Sequence, residues 1–240
     1  RTPAGRSGPR SRWAPRRRPE QLARSLRRAE RLYSRKQRAA AGRIFARYQS
    51  TAAQVGAAFA AWPGSSLATL ERLAQEHPQD SLVLLHLGYA NLWAGESARA
   101  TAAWRRAASA QPDTMSAQRA DDVLHPAFPP GEPLFVPSFA PPARLAGLSP
   151  PRQFELLRRD ASRPDANAKL LYGLALQRLG RRLSARREFD AAVKLDPGDP
   201  ETQVASALGR FDKSRPSAAF SRLGPLTKRY PHAATVRFHL

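Results

Sequence analysis

The sequence predicts an all-α fold: an α-solenoid of antiparallel helix pairs with a disordered basic N-terminal tail and one Pro-rich insertion. Three observations predict it. Apolar residues recur every three or four positions through most of the chain, which is the spacing of one helix face. β-branched residues are scarce and no Asn-Gly or Asp-Gly hairpin turn occurs. Several prolines recur at a fixed interval, as they do when each one ends a helix pair.

The composition excludes several classes of protein. The 240 residues include no cysteine, which excludes a disulfide scaffold, a cysteine-ligated metal site and a thiol nucleophile. The net charge is +21, and it is uneven, because residues 1–47 carry 16 basic but only two acidic side chains. Heavy use of Arg, Ala and Pro also fits the codons of a GC-rich, bacterial genome. The charge alone therefore does not establish a polyanionic partner.

The first third of the chain divides into a tail and several short helices. Residues 1–19 are rich in Gly, Ser, Pro and Arg, and we expect a disordered, solvated tail. Residues 20–77 are expected to form cationic helices, which the pattern allows to be degenerate repeats. Their apolar spacing is carried by Leu22, Leu26, Ala29 and Leu32, then by Ile44, Phe45 and Tyr48. An Ala-rich helix from Thr51 to Trp62 follows, and Ser66 suits the cap of the next helix.

A 34-residue period organises residues 78–240. Pro78 and Pro112 are 34 residues apart, as are Pro197 and Pro231, while Pro112 and Pro197 are separated by two periods plus 17 residues. The copy at 81–114 holds Leu84, Leu87–Gly88, Asn91, Ala100, Trp104, Ala107 and Pro112 in its regular slots. The copy at 166–199 holds Lys169, Tyr172–Gly173, Leu176, Ala185, Phe189, Ala192 and Pro197 in the same slots.

This pattern resembles the tetratricopeptide repeat (TPR). The resemblance implies two antiparallel helices in each repeat, which approach closely at the glycine and the small alanines. The aromatic residue then fills the space between one pair and the next, and the proline ends the second helix. The copy at 200–233 is degenerate, because Ser206–Ala207 stands where Leu–Gly is usual.

The 17 extra residues predict an expanded turn. We interpret residues 113–165 as a split repeat, with helices at Thr114–Leu124 and Pro151–Arg159 on either side of a Pro-rich insert at 125–150. Eight prolines favour an extended chain in this insert. One hypothesis is that the insert fills the groove of its own repeats with Phe135 or Phe139.

The two ends of the sequence predict a processed chain or a fragment. The chain begins with Arg1, and a truncated repeat from residue 234 stops at Leu240 in its first helix. We expect further sequence beyond that point.

No constellation of catalytic residues is recognisable. The five histidines lack metal-ligand spacing, and the motifs of phosphate-binding loops, dinucleotide folds and nucleophile elbows are absent. Asp121 and Asp122 are adjacent on a helix, so their side chains point in different directions and are not expected to act as a catalytic pair. We expect them to lie on a solvated helix face. We therefore expect no catalytic residue, no metal and no cofactor, and a protein that is not an enzyme.

The resemblance implies a groove along the first helices of the repeats, where related proteins hold a peptide. Ten side chains fall in its main slots: Leu82, Leu85, Tyr89, Leu92, Trp93, Leu170, Leu174, Arg178, Leu208 and Phe211. Gln177 and Glu201 occupy two further slots. A clamp for a terminal carboxylate is not expected, because Leu and Tyr stand where chaperone-binding members carry Lys and Asn.

We therefore expect a non-catalytic adaptor or assembly scaffold that binds a helix or an extended apolar segment of a partner protein. A second copy of the chain is also an admissible partner. One alternative remains open for the groove residues, namely that neighbouring helices bury them.

The competing function is binding of nucleic acid or an anionic membrane surface through residues 1–47. The residues assigned to that contact are Arg16, Arg17, Arg18, Arg27 and Arg28. An inert solubilising tail is the third interpretation. The expected location is cytoplasmic, and membrane-proximal if an anchor lies outside this sequence.

Overall fold

The structure, a computed structural model, describes residues 19–240. The predicted tail and Arg16, Arg17 and Arg18 lie outside the described residues, except for Pro19, which begins the first helix. Over the described range the chain forms α-helices, one short 3-10 helix and no strand, so the predicted all-α class is confirmed. The helices are α1 (Pro19–Ser34), α2 (Arg38–Phe45), α3 (Thr51–Ala60), α4 (Ser66–Glu76), α5 (Ser81–Trp93), α6 (Ser97–Ala110), α7 (Met115–Leu124), α8 (Pro150–Asp160), α9 (Ala166–Arg178), α10 (Arg182–Leu195), α11 (Pro200–Leu208), α12 (Ser217–Arg229) and α13 (Ala234–Phe238), with the 3-10 helix at Ala143–Leu145.

The chain divides into two compact units, one ending at Ser66 and the other spanning Leu67–Leu240. In the first unit α1, α2 and α3 pack on one another around buried Ala29, Ala41 and Phe45. Ser66 differs from expectation. It is the first residue of α4 and not its cap, and its hydroxyl donates to the Ala58 carbonyl at 2.6 Å.

The second unit begins its regular packing with the pair α5 and α6. Asp80 caps α5 by accepting a hydrogen bond from the Leu82 amide at 2.8 Å. The pair approaches closely at Gly88, where a methyl group would overlap the Trp104 ring. The indole Nε1 of Trp104 donates to the Leu85 carbonyl at 3.1 Å, which satisfies its one polar atom inside the pair.

The pair α9 and α10 repeats this arrangement. Asp165 caps α9 by accepting from the Ala168 amide at 3.0 Å. Gly173 lies against the ring of Phe189, which is fully buried, as Gly88 lies against Trp104. The pairs turn at Gly95 and Gly180, whose φ angles of 86° and 70° favour glycine. The slots read from the sequence therefore make the contacts that the pattern implied.

The split repeat forms the two helices that were predicted, but they are not a packed pair. α7 packs on α5 and α6, whereas α8 packs on α9, with no extensive packing between α7 and α8 among the described residues. The insert separates them and folds back over other helices. Three contacts fix its beginning: the Gly131 amide donates to Oδ1 of Asp122 at 2.8 Å, and the ammonium of the buried Lys213 binds the same carboxylate and, at 3.0 Å, the Pro129 carbonyl.

Candidate partner-binding groove

The insert lies along the side of α9 and α11 that the repeat pattern assigns to ligand binding. We define the α9–α11 groove by Leu170 and Gln177 on α9 with Glu201, Val204 and Leu208 on α11. We define the resident segment as residues 132–139, the part of the insert that occupies it. The groove thus holds a length of the protein's own chain.

Phe135 is the apolar anchor of the resident segment. Its side chain is fully buried, in one cluster with Leu170, Val204 and Leu208. Its ring packs edge-on against Phe189, with the ring centroids 5.7 Å apart. Burying one phenylalanine side chain is worth about 1.5–3 kcal/mol, so this contact is a large part of what holds the segment. Phe139 packs half-buried against the same cluster.

Polar side chains of the groove bind the backbone of the resident segment. Oε1 of Gln177 accepts from the Phe135 amide at 3.0 Å, and Nε2 of Gln177 donates to the Pro133 carbonyl at 3.4 Å. Oε1 of Glu201 accepts from the amide of Ser138 at 3.1 Å and from its hydroxyl. Backbone groups are common to all peptides, so these bonds favour an extended conformation and do not require one sequence.

His239, just after α13, closes the other side of the anchor. Its ring stacks on Phe135 with centroids 5.9 Å apart, and Nε2 lies 3.2 Å from both the nitrogen and the oxygen of Val136. Burial lowers the pKa of His239, so the ring is held neutral and can accept from or donate to the Val136 backbone.

The ten predicted groove residues fall into two groups. Leu85, Leu170, Leu174 and Leu208 are buried, which corrects the expectation that they are open to a partner. For Leu170 and Leu208 the reason is Phe135, which occupies the space in front of them. Leu82, Tyr89 and Phe211 are partly buried and Arg178 is exposed.

The first copy presents two exposed apolar residues among those predicted. Leu92 is 44% exposed and Trp93 is 51% exposed, and the Trp93 ring stacks on Tyr89 with centroids 6.4 Å apart. Burial raises the pKa of Tyr89 and lowers that of the neighbouring His86. The role of these residues in binding stays a prediction.

A strongly basic pocket of 420 Å³ adjoins the groove. We define the arginine pocket by Arg182, Arg186, Arg210, Arg215 and Arg222, which α10, α12 and the turn after α11 bring together. Glu132, the first residue of the resident segment, also lines it and pairs with Arg182 at 3.6 Å. Burial raises the pKa of Glu132 to about 7, against the lowering effect of Arg182. Sequence reasoning missed this pocket, whose arginines are spread over 41 positions.

Neither a cluster of metal-ligating side chains nor a membrane-spanning helix occurs along residues 19–240. No group of three or more His, Asp or Glu side chains has the geometry to hold a metal ion in this range. None of the helices described combines the length and the apolar character needed to cross a bilayer.

Comparison with known proteins finds likenesses only among solved structures, since no family model and no curated protein matches. The chain is similar to MamA of AMB-1, with 21% identity, 75% of this chain and 96% of that one covered, and a TM-score of 0.32. It is similar to a thermophilic TPR protein of Thermus thermophilus, with 19% identity, coverage of 90% and 95%, and a TM-score of 0.33. It is also similar to the C-terminal part of a TPR repeat-containing protein from Cytophaga hutchinsonii, with 12% identity, coverage of 89% and 83%, and a TM-score of 0.32.

These scores are too low to carry an argument about function. The repeat type rests on the chain's own packing, because the glycine and aromatic slots make the same close contact in both copies. Both copies therefore share one arrangement, in which the glycine of the first helix lies against the aromatic ring of the second. In the register of the two copies, Leu170 and Gln177 of the α9–α11 groove correspond to Leu85 and Leu92 of the first copy.

Proposed function

We propose that this protein is a non-catalytic adaptor that binds an extended segment of a partner protein in the α9–α11 groove. The observation that carries the proposal is the resident segment, which is held as a peptide ligand would be. An aromatic anchor fills a buried site, and Gln177 and Glu201 bind the neighbouring backbone.

A partner must displace the resident segment before it can bind. The apparent affinity is therefore the intrinsic affinity multiplied by the fraction of molecules in which the groove is open. Weakening the resident segment should raise that fraction and strengthen binding in trans. An increase in affinity on weakening the resident segment therefore distinguishes a segment that occupies the binding site from one that is only structural.

The test uses the full chain with Phe135→Ala and a labelled peptide of residues 131–141. Fluorescence anisotropy should show binding to the variant at least tenfold tighter than to the unsubstituted chain. A peptide with alanine at the anchor position should not bind. The matched control is Phe220→Ala, since Phe220 is 56% exposed on α12 and its loss should leave the groove closed.

The stability of the variant decides which substitution is used. Phe135→Ala removes a buried ring, so folding is checked by circular dichroism. If it is unfolded, Phe135→Leu replaces it, because leucine keeps most of the buried volume while weakening the anchor. Equal binding of the peptide to variant and unsubstituted chain, or no binding to either folded variant, refutes the proposed function.

A second candidate function is supported by the surface of α1. Arg24, Arg27, Arg28 and Arg31 are exposed there, and none has a carboxylate within ion-pair distance among the residues described. Such a face suits nucleic acid or anionic lipid, and binding to either should weaken with salt.

Titration of a DNA oligonucleotide, and separately of anionic vesicles, across a salt series tests the second candidate. Replacing Arg27 and Arg28 with alanine should weaken DNA binding and make its salt slope shallower by up to about 2. Arg105 and Arg106, an exposed pair on α6, provide the control. An equal effect of the two double variants on both ligands contradicts a role for α1.

A further inference from the structure

The arginine pocket lies where the resident segment enters the groove. Glu132 lines the pocket, and the Pro133 carbonyl, one residue later, receives the hydrogen bond from Gln177. A partner segment bound with its aromatic residue in the place of Phe135 would therefore present the side chain three positions earlier to the pocket.

The charges of the arginine pocket are not balanced by its own acids. Five guanidinium groups face Glu132 and Asp212 on the lining, with Asp190 behind them. The contact of Arg210 with Asp190, at 2.6 Å, is short, whereas Arg215 lies 4.0 Å from Asp212. Arg222 has no carboxylate within 4.0 Å in the range that the structure describes. With every acid ionised, two positive charges remain uncompensated.

The pocket is also larger than its present acidic occupant needs. A volume of 420 Å³ stays open although Glu132 already lines it, and the Glu132–Arg182 distance of 3.6 Å exceeds that of a close ion pair. A phosphate ester carries about two negative charges and three acceptor oxygens, and guanidinium groups bind it bidentately. When it takes the place of Glu132, the five guanidinium groups face only Asp190 and Asp212, and the phosphate neutralises about two of the three positive charges left.

We propose that the arginine pocket binds a phosphorylated side chain of the partner segment, three residues before its aromatic anchor, in the place that Glu132 holds for the resident segment. This inference rests on the proposed function, since it requires the groove to accept a segment in trans. A nucleic acid fits less well, because Asp212 lines the pocket and Asp190 pairs with Arg210 beside it, and both carboxylates would repel a continuous phosphate backbone.

Three labelled peptides of residues 129–141 test the inference on the Phe135→Ala chain. They carry glutamate, serine or phosphoserine at position 132 and are otherwise identical. The phosphoserine peptide should bind at least tenfold tighter than the serine peptide, with the glutamate peptide between them. Replacing Arg186 and Arg222 with alanine should abolish that preference and leave the affinity for the serine peptide unchanged.

A matched double variant controls for the loss of charge. Arg187 is the exposed neighbour of Arg186 on α10 and does not line the pocket, and Arg158 is exposed on α8. Replacing these two with alanine removes the same net charge and should keep the phosphoserine preference. Loss of the preference in this control would assign it to general electrostatics and overturn the inference.

The outcomes separate this inference from the proposed function. Equal binding of all three peptides overturns the phosphate site and leaves the groove function standing, whereas no binding of any peptide overturns the proposed function. A different result is that a single-stranded oligonucleotide binds more tightly than the phosphoserine peptide and loses this binding in the Arg186 and Arg222 double variant. That result would assign the pocket to nucleic acid. The unsubstituted chain gives a second measurement, in which phenyl phosphate should shift the NMR signals of the Arg186 and Arg222 guanidinium groups. Absence of any saturable shift counts against the pocket.

Discussion

The copies at 81–114 and 166–199 share an interior and differ in the face that a ligand would meet. Inside, each has an aspartate cap on its first helix and a glycine against an aromatic ring. Outside, Leu92 is exposed in the first copy, while Gln177, in the same slot of the second, binds the backbone of the resident segment. The repeat pattern therefore fixes how a helix pair closes, and the slots facing outward are free to specialise.

The largest effects are expected inside the pairs, where the copies are alike. Trp104→Ala and Phe189→Ala should each lower the free energy of unfolding by about 3–5 kcal/mol, because each leaves a large buried cavity. Phe189→Ala should also free the resident segment, since Phe135 packs on it. Urea denaturation measures both. A loss below about 1 kcal/mol in either, or a similar loss for exposed Phe220→Ala, would contradict the shared interior.

The glycine contacts sharpen the same comparison with smaller changes. Gly88→Ala and Gly173→Ala should each cost about 1–3 kcal/mol, because the added methyl group overlaps the aromatic ring of the facing helix. Gly224→Ala on α12 is the control, since a Cβ there meets nothing within 4 Å. That control should be neutral or stabilising by up to about 1 kcal/mol. Thermal unfolding that ranks the three variants equally would break the argument.

Gln177→Ala tests whether the groove-facing sides of the two copies differ in their contribution to stability. It removes the acceptor of the buried Phe135 amide, which should cost about 1–3 kcal/mol. Leu92 occupies the equivalent slot of the first copy, where no resident segment covers it. Leu92→Ala should change the free energy of unfolding by less than about 0.5 kcal/mol, which is the usual effect of a surface substitution. Hydrogen exchange should show faster loss of protection at the Phe135 amide only in Gln177→Ala. Equal exchange in both variants would place that amide's protection elsewhere.

A further expected effect is a dependence on pH that Glu132 gives to the covered copy. Glu132 has a pKa of about 7 in the folded chain, above its usual value, so the folded state binds this proton more tightly than the unfolded state. Its contribution is complete at low pH and is lost as the pH rises through about 7. Between about pH 6 and pH 7 the contribution of Glu132 to the free energy of unfolding should fall by about 1 kcal/mol.

Glu132→Gln should flatten this part of the stability profile, because glutamine does not titrate. Glu155→Gln, an exposed acid on α8, should leave the profile unchanged. Urea denaturation from about pH 5 to pH 8 measures the free energy of unfolding of all three chains. Coincident profiles would show that Glu132 does not cause the pH dependence.

The interior was predictable from sequence, and much of the site was not. Gly88, Trp104, Gly173 and Phe189 follow from a period, which needs only local spacing along one helix pair. The repeat register also placed Gln177 and Glu201 toward the groove, and the apolar run of the insert led to the hypothesis that Phe135 fills it, which the burial of Phe135 supports. The burial of Leu170 and Leu208 depends on where that insert folds back, so the sequence left open whether neighbouring helices, the insert or a partner covers them.

The contacts of the arginine pocket were beyond sequence reasoning for a related reason. Glu132 meets Arg182, and Ser138 meets Glu201, across 50 and 63 residues of chain. No periodicity relates an irregular insert to a helix so distant, and arginines are frequent throughout this sequence. Only the folded position of the insert selects which of them meet.

The bonds from Lys213 to Asp122 and from His239 to Val136 join positions 91 and 103 residues apart. A stack of helix pairs ordinarily behaves as a one-dimensional array, in which each unit feels only its neighbours and the ends fray first. These bonds link helix pairs that are not adjacent in sequence, so this part of the chain no longer behaves as a one-dimensional array. The C-terminal helices α12 and α13 should then unfold together with α7 and the insert, and the high sequence separation of the contacts should make folding slower than that of an open stack of the same length.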